Sequence, residues 1–170
     1  MASTSPGPWH VSGLKDEQEK EVKIGDIFYR AYGGSSKKWG RSFFVPAIAK
    51  NGNHQLVNHW TAELLEKELN ACLWGNDYEF LLVVKANNST PPLKYKIGTV
   101  AQGEYSGVED GRAFYQQDFI TPSGIFKEVQ FDSIDLEDLK FCLNIVEEAV
   151  PIRAGNYARE ASRRGKKWRQ

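Results

Sequence analysis

Residues 61–86 read TAELLEKELNACLWGNDYEFLLVVKA, a one-faced helix pattern that gives way to a buried-strand pattern. Thr61 is a good N-cap, and Trp60 before it is placed to staple onto Leu65, the fourth residue inside. Leu65, Leu69, Cys72 and Leu73 recur at i, i+4, i+7 and i+8, one apolar stripe on a helix expected to run to about Trp74. Gly75-Asn76 ends it. Phe80–Ala86 (FLLVVKA) is then an apolar, β-branched run, the best buried strand in the chain. A helix laid between strands, rather than alternating with each of them, points to an α+β domain.

Outward from this unit the same signals recur. Upstream, Asp26–Tyr32 predicts a strand broken by Gly33-Gly34-Ser35-Ser36, and Arg41–Val45 predicts another stopped by Pro46. Asn51-Gly52-Asn53 marks a turn. Downstream, Tyr95–Ala101, Ala113–Ile120 and Ile125–Phe131 predict strands, with a surface loop at Gly103–Arg112 and a turn at Thr121–Gly124. A second helix is expected from Asp135, with Ile134 stapled to Leu139, a stripe of Leu139, Cys142, Leu143, Val146 and Ala149, and a stop at Pro151. The expected architecture is α+β: a compact mixed or antiparallel β core with two main amphipathic helices. Residues 1–21 read as a disordered leader, 22–150 as one domain and 151–170 as a basic tail.

Composition narrows the class. The chain has 170 residues, 41% of them apolar and 26% charged, which suits one globular domain. No apolar run approaches the roughly 20 residues of a spanning helix, so membrane insertion is not expected. Two cysteines are too few for a disulfide scaffold, which favours a reducing compartment such as the cytoplasm. The 22 basic residues cancel the 22 acidic ones, yet residues 151–170 hold seven basic residues against Glu160 alone. That tail therefore carries +6 and the body −6, and it either docks on its own domain or touches a polyanion.

Common catalytic signatures are missing. No Walker loop and no GxGxxG after a strand is present, so neither a phosphate-cradling loop nor a dinucleotide fold is supported. His10, His54 and His59 have no ligand spacing with Cys72 and Cys142, which both fall on apolar helix stripes and read as buried thiols. What stands out is Phe28-Tyr29-Arg30-Ala31-Tyr32-Gly33-Gly34 followed by Gly40-Arg41-Ser42-Phe43-Phe44-Val45-Pro46. Alternation puts Arg30 on the face of Phe28 and Tyr32, where a cation loses hydration and needs a partner. A carboxylate of the protein meets that need, and so does an anionic ligand gripped by guanidinium and by the turn's backbone amides.

These two segments resemble the opening of the ADP-ribosyltransferase-like domains at the ends of bacterial polymorphic and secreted toxins. The helix ending in LWGN before EFLLVVKA, the YKIGTVA segment, and TPSGIFKEVQFD are similar to later motifs of that family in the same order. The resemblance spans roughly Gly25–Asp132 and implies a split sheet that binds NAD as substrate, with no metal. By matching position it implies that Arg30, beside Tyr29, Gly33 and Gly34, holds the pyrophosphate or ribose. Ser42, Phe43 and Phe44 line the nicotinamide pocket in this reading. Glu128 is the terminal catalytic residue, with Gln130 on the same strand face as its rival.

The implied activity is NAD-consuming ADP-ribosyl transfer or NAD glycohydrolysis, by a toxin or effector acting in the cytoplasm or delivered to a target cell. Its acceptor is a protein, a nucleic acid or water. The physics agrees, since cleaving the nicotinamide–ribose bond creates an oxocarbenium-like sugar that a fixed carboxylate stabilises. The other reading is a non-enzymatic α+β module whose tail, 151–170, contacts nucleic acid or a protein partner. In it Arg30 is a structural ion pair and Glu128 an ordinary strand residue facing solvent.

Overall fold

The FLLVVKA run lies inside a longer strand, β5 (Asn76–Ala86), whose Leu81, Leu82, Val83 and Val84 are all buried because both sheet faces are covered there. A computed structural model describes residues 9–11, 14–47, 60–69, 76–87, 93–100, 103–105 and 124–153. The other strands of the main sheet are β2 (Leu14–Glu21), β3 (Ile27–Gly34), β4 (Ser42–Pro46), β6 (Lys94–Val100), β8 (Phe126–Gln130) and β9 (Leu143–Pro151). Among the described residues the sheet has seven strands in the order β2-β6-β8-β4-β3-β5-β9, each neighbouring pair antiparallel. A separate two-stranded piece pairs β1 (Trp9–Val11) with β7 (Gly103–Tyr105). The α+β architecture is what the sequence predicts, with an antiparallel β core and, among the described residues, two helices.

The helices cover opposite faces. On one, α1 (Ala62–Leu69) buries Ala62 and Leu65 with Tyr29, Phe44, Trp60, Leu81, Val83 and Phe126. On the other, α2 (Leu136–Cys142) buries Leu139 and Cys142 with Phe28, Phe43, Leu82, Val84, Val129 and Phe131. The α1 cap forms as expected: Leu64 N donates to Thr61 Oγ1 at 3.1 Å, and Trp60 joins Leu65 in the core. Ile134 likewise packs into the core that holds Leu139, and Cys142 is a buried free thiol.

Three expectations change. The second helix does not continue to Pro151: it ends at Cys142, and Leu143–Pro151 is strand β9, paired to β5 from Leu143↔Ala86 to Phe80↔Pro151. The LNIVEEAV pattern suits either element locally. The open edge of β5 decides for a strand, because its backbone donors and acceptors need a partner. Register shifts and a left-handed Ala149 (φ 53°) kink this edge strand, which leaves Ile145 and Val146 exposed.

The expected disordered leader holds two strands: Trp9–Val11 is β1, and the charged LKDEQEKE is β2 at the opposite edge of the main sheet, paired to β6. It has little to bury, and an edge strand rich in charge needs to bury little. Gly103–Tyr105, read as the start of a loop, forms β7. The turn at 51–53, His54, His59, Cys72, the strand at 113–120 and residues 154–170 lie outside the described residues. No helix among the described residues is long and apolar enough to cross a membrane.

Candidate functional site

The middle of the sheet is its weakest seam. Strands β3 and β4 meet at one register pair, Tyr29↔Phe44, whereas β3 and β5 are laddered from Ile27↔Lys85 to Tyr32↔Phe80. Continuing the β3–β4 register would set Ala31 against Ser42, but no ladder forms there. Their carbonyls are satisfied by side chains instead. Arg30 Nη1 donates to Ser42 O at 2.9 Å, and Asn76 Nδ2 donates to Ala31 O at 2.9 Å. The sheet is therefore split, with each lip of the split capped by a side chain that replaces a missing ladder bond.

Arg30 is tied to the loop that joins the two strands. Its Nε donates to Lys37 O and Lys38 O at 3.2 and 3.1 Å, and Nη2 donates to Lys37 O at 2.9 Å and Ser36 Oγ at 3.2 Å. Gly40 lies so close over the guanidinium that a Cβ there would come within 2.6 Å of Nη2. Burial lowers the Arg30 pKa from its ordinary value, and no carboxylate is among its hydrogen-bond partners. Of five N–H groups, these bonds leave one, on Nη1, for anything else. Neither expected partner, a protein carboxylate or a bidentate ligand anion, describes this arrangement: the guanidinium is a clamp on neutral carbonyls.

The Gly33–Ser36 turn is similarly occupied. Gly33 N and Ser36 N each donate to the other's carbonyl at 3.0 Å, and Gly34 N donates to Glu79 Oε1 at 3.2 Å. The anion at the Gly34 amide is the protein's own Glu79 carboxylate. Gly33 (φ 146°) could not carry a side chain, since a Cβ would meet Glu79 at 2.8 Å.

Across the split lies the second half of the candidate site. Ser42 of β4 pairs with Gln130 of β8, and Phe44 pairs with Glu128. Phe131 N donates to Arg41 O at 2.9 Å, so by alternation the carbonyl of Ser42 is turned away from β8 toward the split. Ser42 and Gln130 therefore form a non-hydrogen-bonded pair, the closer kind for side chains. Gln130 Nε2 donates to Glu128 Oε2 at 2.7 Å. On its other side Glu128 is directly opposite Gly98 of β6, which puts no side chain against it from that strand. Burial raises the Glu128 pKa, the Gln130 bond opposes the rise, and the negative charge of Asp132 adds to it.

Ser42, Glu128 and Gln130 thus share the α1 face, together with Phe44 and Phe126 of the core. Arg30 leaves β3 on the other face and reaches the group only through the split, at the Ser42 carbonyl. Phe43 and Phe44 point to opposite faces and are both buried, Phe43 against Phe28 and Phe131, Phe44 against Tyr29, Trp60 and Phe126. They do not line one pocket. Tyr29 belongs to the same aromatic cluster as Phe44, and its hydroxyl pKa is raised by burial and by Glu147. Among the described residues no three His, Cys, Asp or Glu side chains come together as metal ligands.

Asn76 and Gly98 were not singled out as site residues by the sequence. Asn76 carried a weak signal as the asparagine after the helix; its Oδ1 accepts from Tyr78 N at 2.8 Å and fixes that residue in a left-handed turn (φ 50°). Gly98 has none, because its place beside Glu128 depends on strand pairing.

No protein-family model matches the chain, and no curated protein does. Two solved structures are similar to it. One is the structure of Tne2 in complex with Tni2, where the matched chain is 13% identical with a TM-score of 0.46, over 84% of this chain and 99% of that one. The other is Rhs1-CT in complex with its cognate immunity protein RhsI1, at 12% identity and a TM-score of 0.45, over 83% of this chain and 85% of that one.

Proposed function

We propose that the chain cleaves the nicotinamide–ribose bond of NAD and passes the ADP-ribosyl group to water or to a macromolecular acceptor. The observation that carries this reading is the Glu128 carboxyl, held by Gln130, which is itself directly opposite Ser42 at the lip of the split sheet. The bond between ribose C1′ and the nicotinamide nitrogen breaks with its electron pair leaving on nicotinamide. The acceptor oxygen or nitrogen forms the new bond to C1′ and gives up its proton. A carboxylate held by a neighbouring amide is suited to the positive charge that develops at C1′, and its partial burial strengthens that interaction. Gln130 leaves Oε1 of Glu128 to face the sugar. Arg30 acts as a positioning residue: it keeps Ser42 and the loop 36–41 in place, and its remaining Nη1 hydrogen is directed by those same bonds.

The test is nicotinamide release from NAD by the purified full chain, with and without cell lysate, beside Glu128→Gln and Gln130→Ala. Release that falls at least a hundredfold in Glu128→Gln is expected, from loss of the charge that stabilises the sugar cation (about 3 kcal/mol). Labelled NAD in lysate then separates transfer from hydrolysis. A folded wild-type chain that neither binds NAD nor releases nicotinamide under either condition overturns the reading.

A further inference from the structure

A substrate with a diphosphate needs a cation on the face that holds Glu128, and the obvious groups are already engaged. Arg30 directs its donors at the Lys37, Lys38 and Ser42 carbonyls and the Ser36 hydroxyl, and the amide of Gly34 holds Glu79. Lys127 lies next to Glu128 in sequence, but alternation turns it to the other face, where its Nζ donates to Thr99 Oγ1 at 2.7 Å. Among the described residues the ladder sets one basic residue directly opposite Gln130; Lys94, on the same face of β6, lies a row further from Glu128 and opposite Glu21. Lys96 of β6 is directly opposite Gln130, which is itself opposite Ser42, so Ser42, Gln130 and Lys96 form one row across β4, β8 and β6. Directly opposite residues of an antiparallel pair share a face, with Cβ atoms about 5 Å apart. Lys96 is exposed, and no ion pair joins it to Glu19, its neighbour on β2.

We infer that Lys96 is a specificity-determining residue for an anionic, phosphate-bearing substrate, its ammonium taking the diphosphate while Glu128, one row along the same face, meets the sugar. This rests on the reading of the α1 face as the substrate site. Lysine serves such a role as a point charge on a flexible stem, so it needs no preformed cage. Glu19, across from it on β2, limits the anion site on that side and disfavours an anion placed further toward the sheet edge.

The experiment is titration of the full chain with inorganic pyrophosphate at low salt, followed by calorimetry, for the wild type, Lys96→Ala, Lys96→Arg and Lys127→Ala. About tenfold weaker pyrophosphate binding is expected in Lys96→Ala, the worth of one charge-assisted contact. Lys96→Arg and Lys127→Ala stay within about twofold of the wild type, because one keeps the charge and the other removes it from the opposite face. Binding unchanged in Lys96→Ala, lost equally in Lys127→Ala, or absent from the folded wild type overturns the inference. NAD cleavage is scored separately by nicotinamide release. Pyrophosphate binding that depends on Lys96 in a chain without NAD cleavage therefore keeps the anion site and removes the NAD reading. NAD cleavage with an unchanged KM in Lys96→Ala does the reverse.

Discussion

Replacing Arg30 by alanine separates a clamp from a ligand contact. The guanidinium donates to the Lys37, Lys38 and Ser42 carbonyls and to the Ser36 hydroxyl, and it is largely buried. A hydrogen bond from a charged donor contributes about 1.5–3 kcal/mol net of the water it displaces. These bonds share one group and are not additive. The loop carbonyls of Lys37 and Lys38 are near the surface and regain water, which discounts their share. The Ser42 carbonyl, at the lip of the split, is the acceptor that no backbone donor replaces. Against this stands the cost of burying a cation without a carboxylate, which is why its pKa falls. The net expectation is a loss of about 2–3 kcal/mol, or roughly 4–12 °C in Tm for a chain of this size. A lysine ammonium has three donors but places them at one point and cannot span the loop carbonyls and the Ser42 carbonyl as the planar fork does, so Arg30→Lys recovers less than half of the loss. Thermal and urea unfolding measure both variants, with nicotinamide release followed in parallel well below Tm. A drop in Tm under about 1 °C together with abolished NAD binding would refute the clamp and make Arg30 a direct substrate contact.

Other consequences follow from the same geometry. Asn76→Ala removes the donor to Ala31 O and the acceptor of Tyr78 N, both buried, and lowers stability by about 2–3 kcal/mol in urea unfolding. An Asn76→Asp variant that loses nothing would show that the Ala31 bond is unimportant. Glu128 has a pKa raised in the folded state, so the native chain holds its proton more tightly than the unfolded one. The contribution of Glu128 to stability is therefore greatest below the ordinary glutamate range and is lost as pH rises through the raised folded value. Glu128→Gln is expected to flatten that slope, read as Tm against pH. NAD cleavage in the wild type should rise over the same interval as the carboxylate forms, and a cleavage rate independent of pH there would remove Glu128 from the chemistry. Thr61→Ala deletes the α1 cap and is expected to cost about 1 kcal/mol, a Tm drop of roughly 2–4 °C without any change in KM.

Local pattern in the sequence was enough for the elements whose periodicity is dictated by covering a core. The FLLVVKA strand, the Thr61-capped helix with its Trp60 staple, and the paired aromatics of YRAYGG and SFFVP follow from residue spacing, and each is present. The α+β class follows from their order. Pattern also put Glu128 and Gln130 on one strand face, since a period of two fixes that without a partner strand.

What the tertiary structure decided is every relation that runs across strands. Whether LNIVEEAV is helix or strand depends on the unfilled edge of β5, and whether LKDEQEKE is ordered depends on the edge of β6. The register that sets Ser42 beside Gln130, Glu128 beside Gly98 and Lys96 beyond Gln130 joins residues far apart in the chain, and no local propensity encodes it. The fate of Arg30 belongs to the same class. The sequence showed a cation needing a partner on an aromatic face. Only the opening between β3 and β4, with a carbonyl left unpaired on its lip, made that partner the backbone of Ser42 and the loop before it.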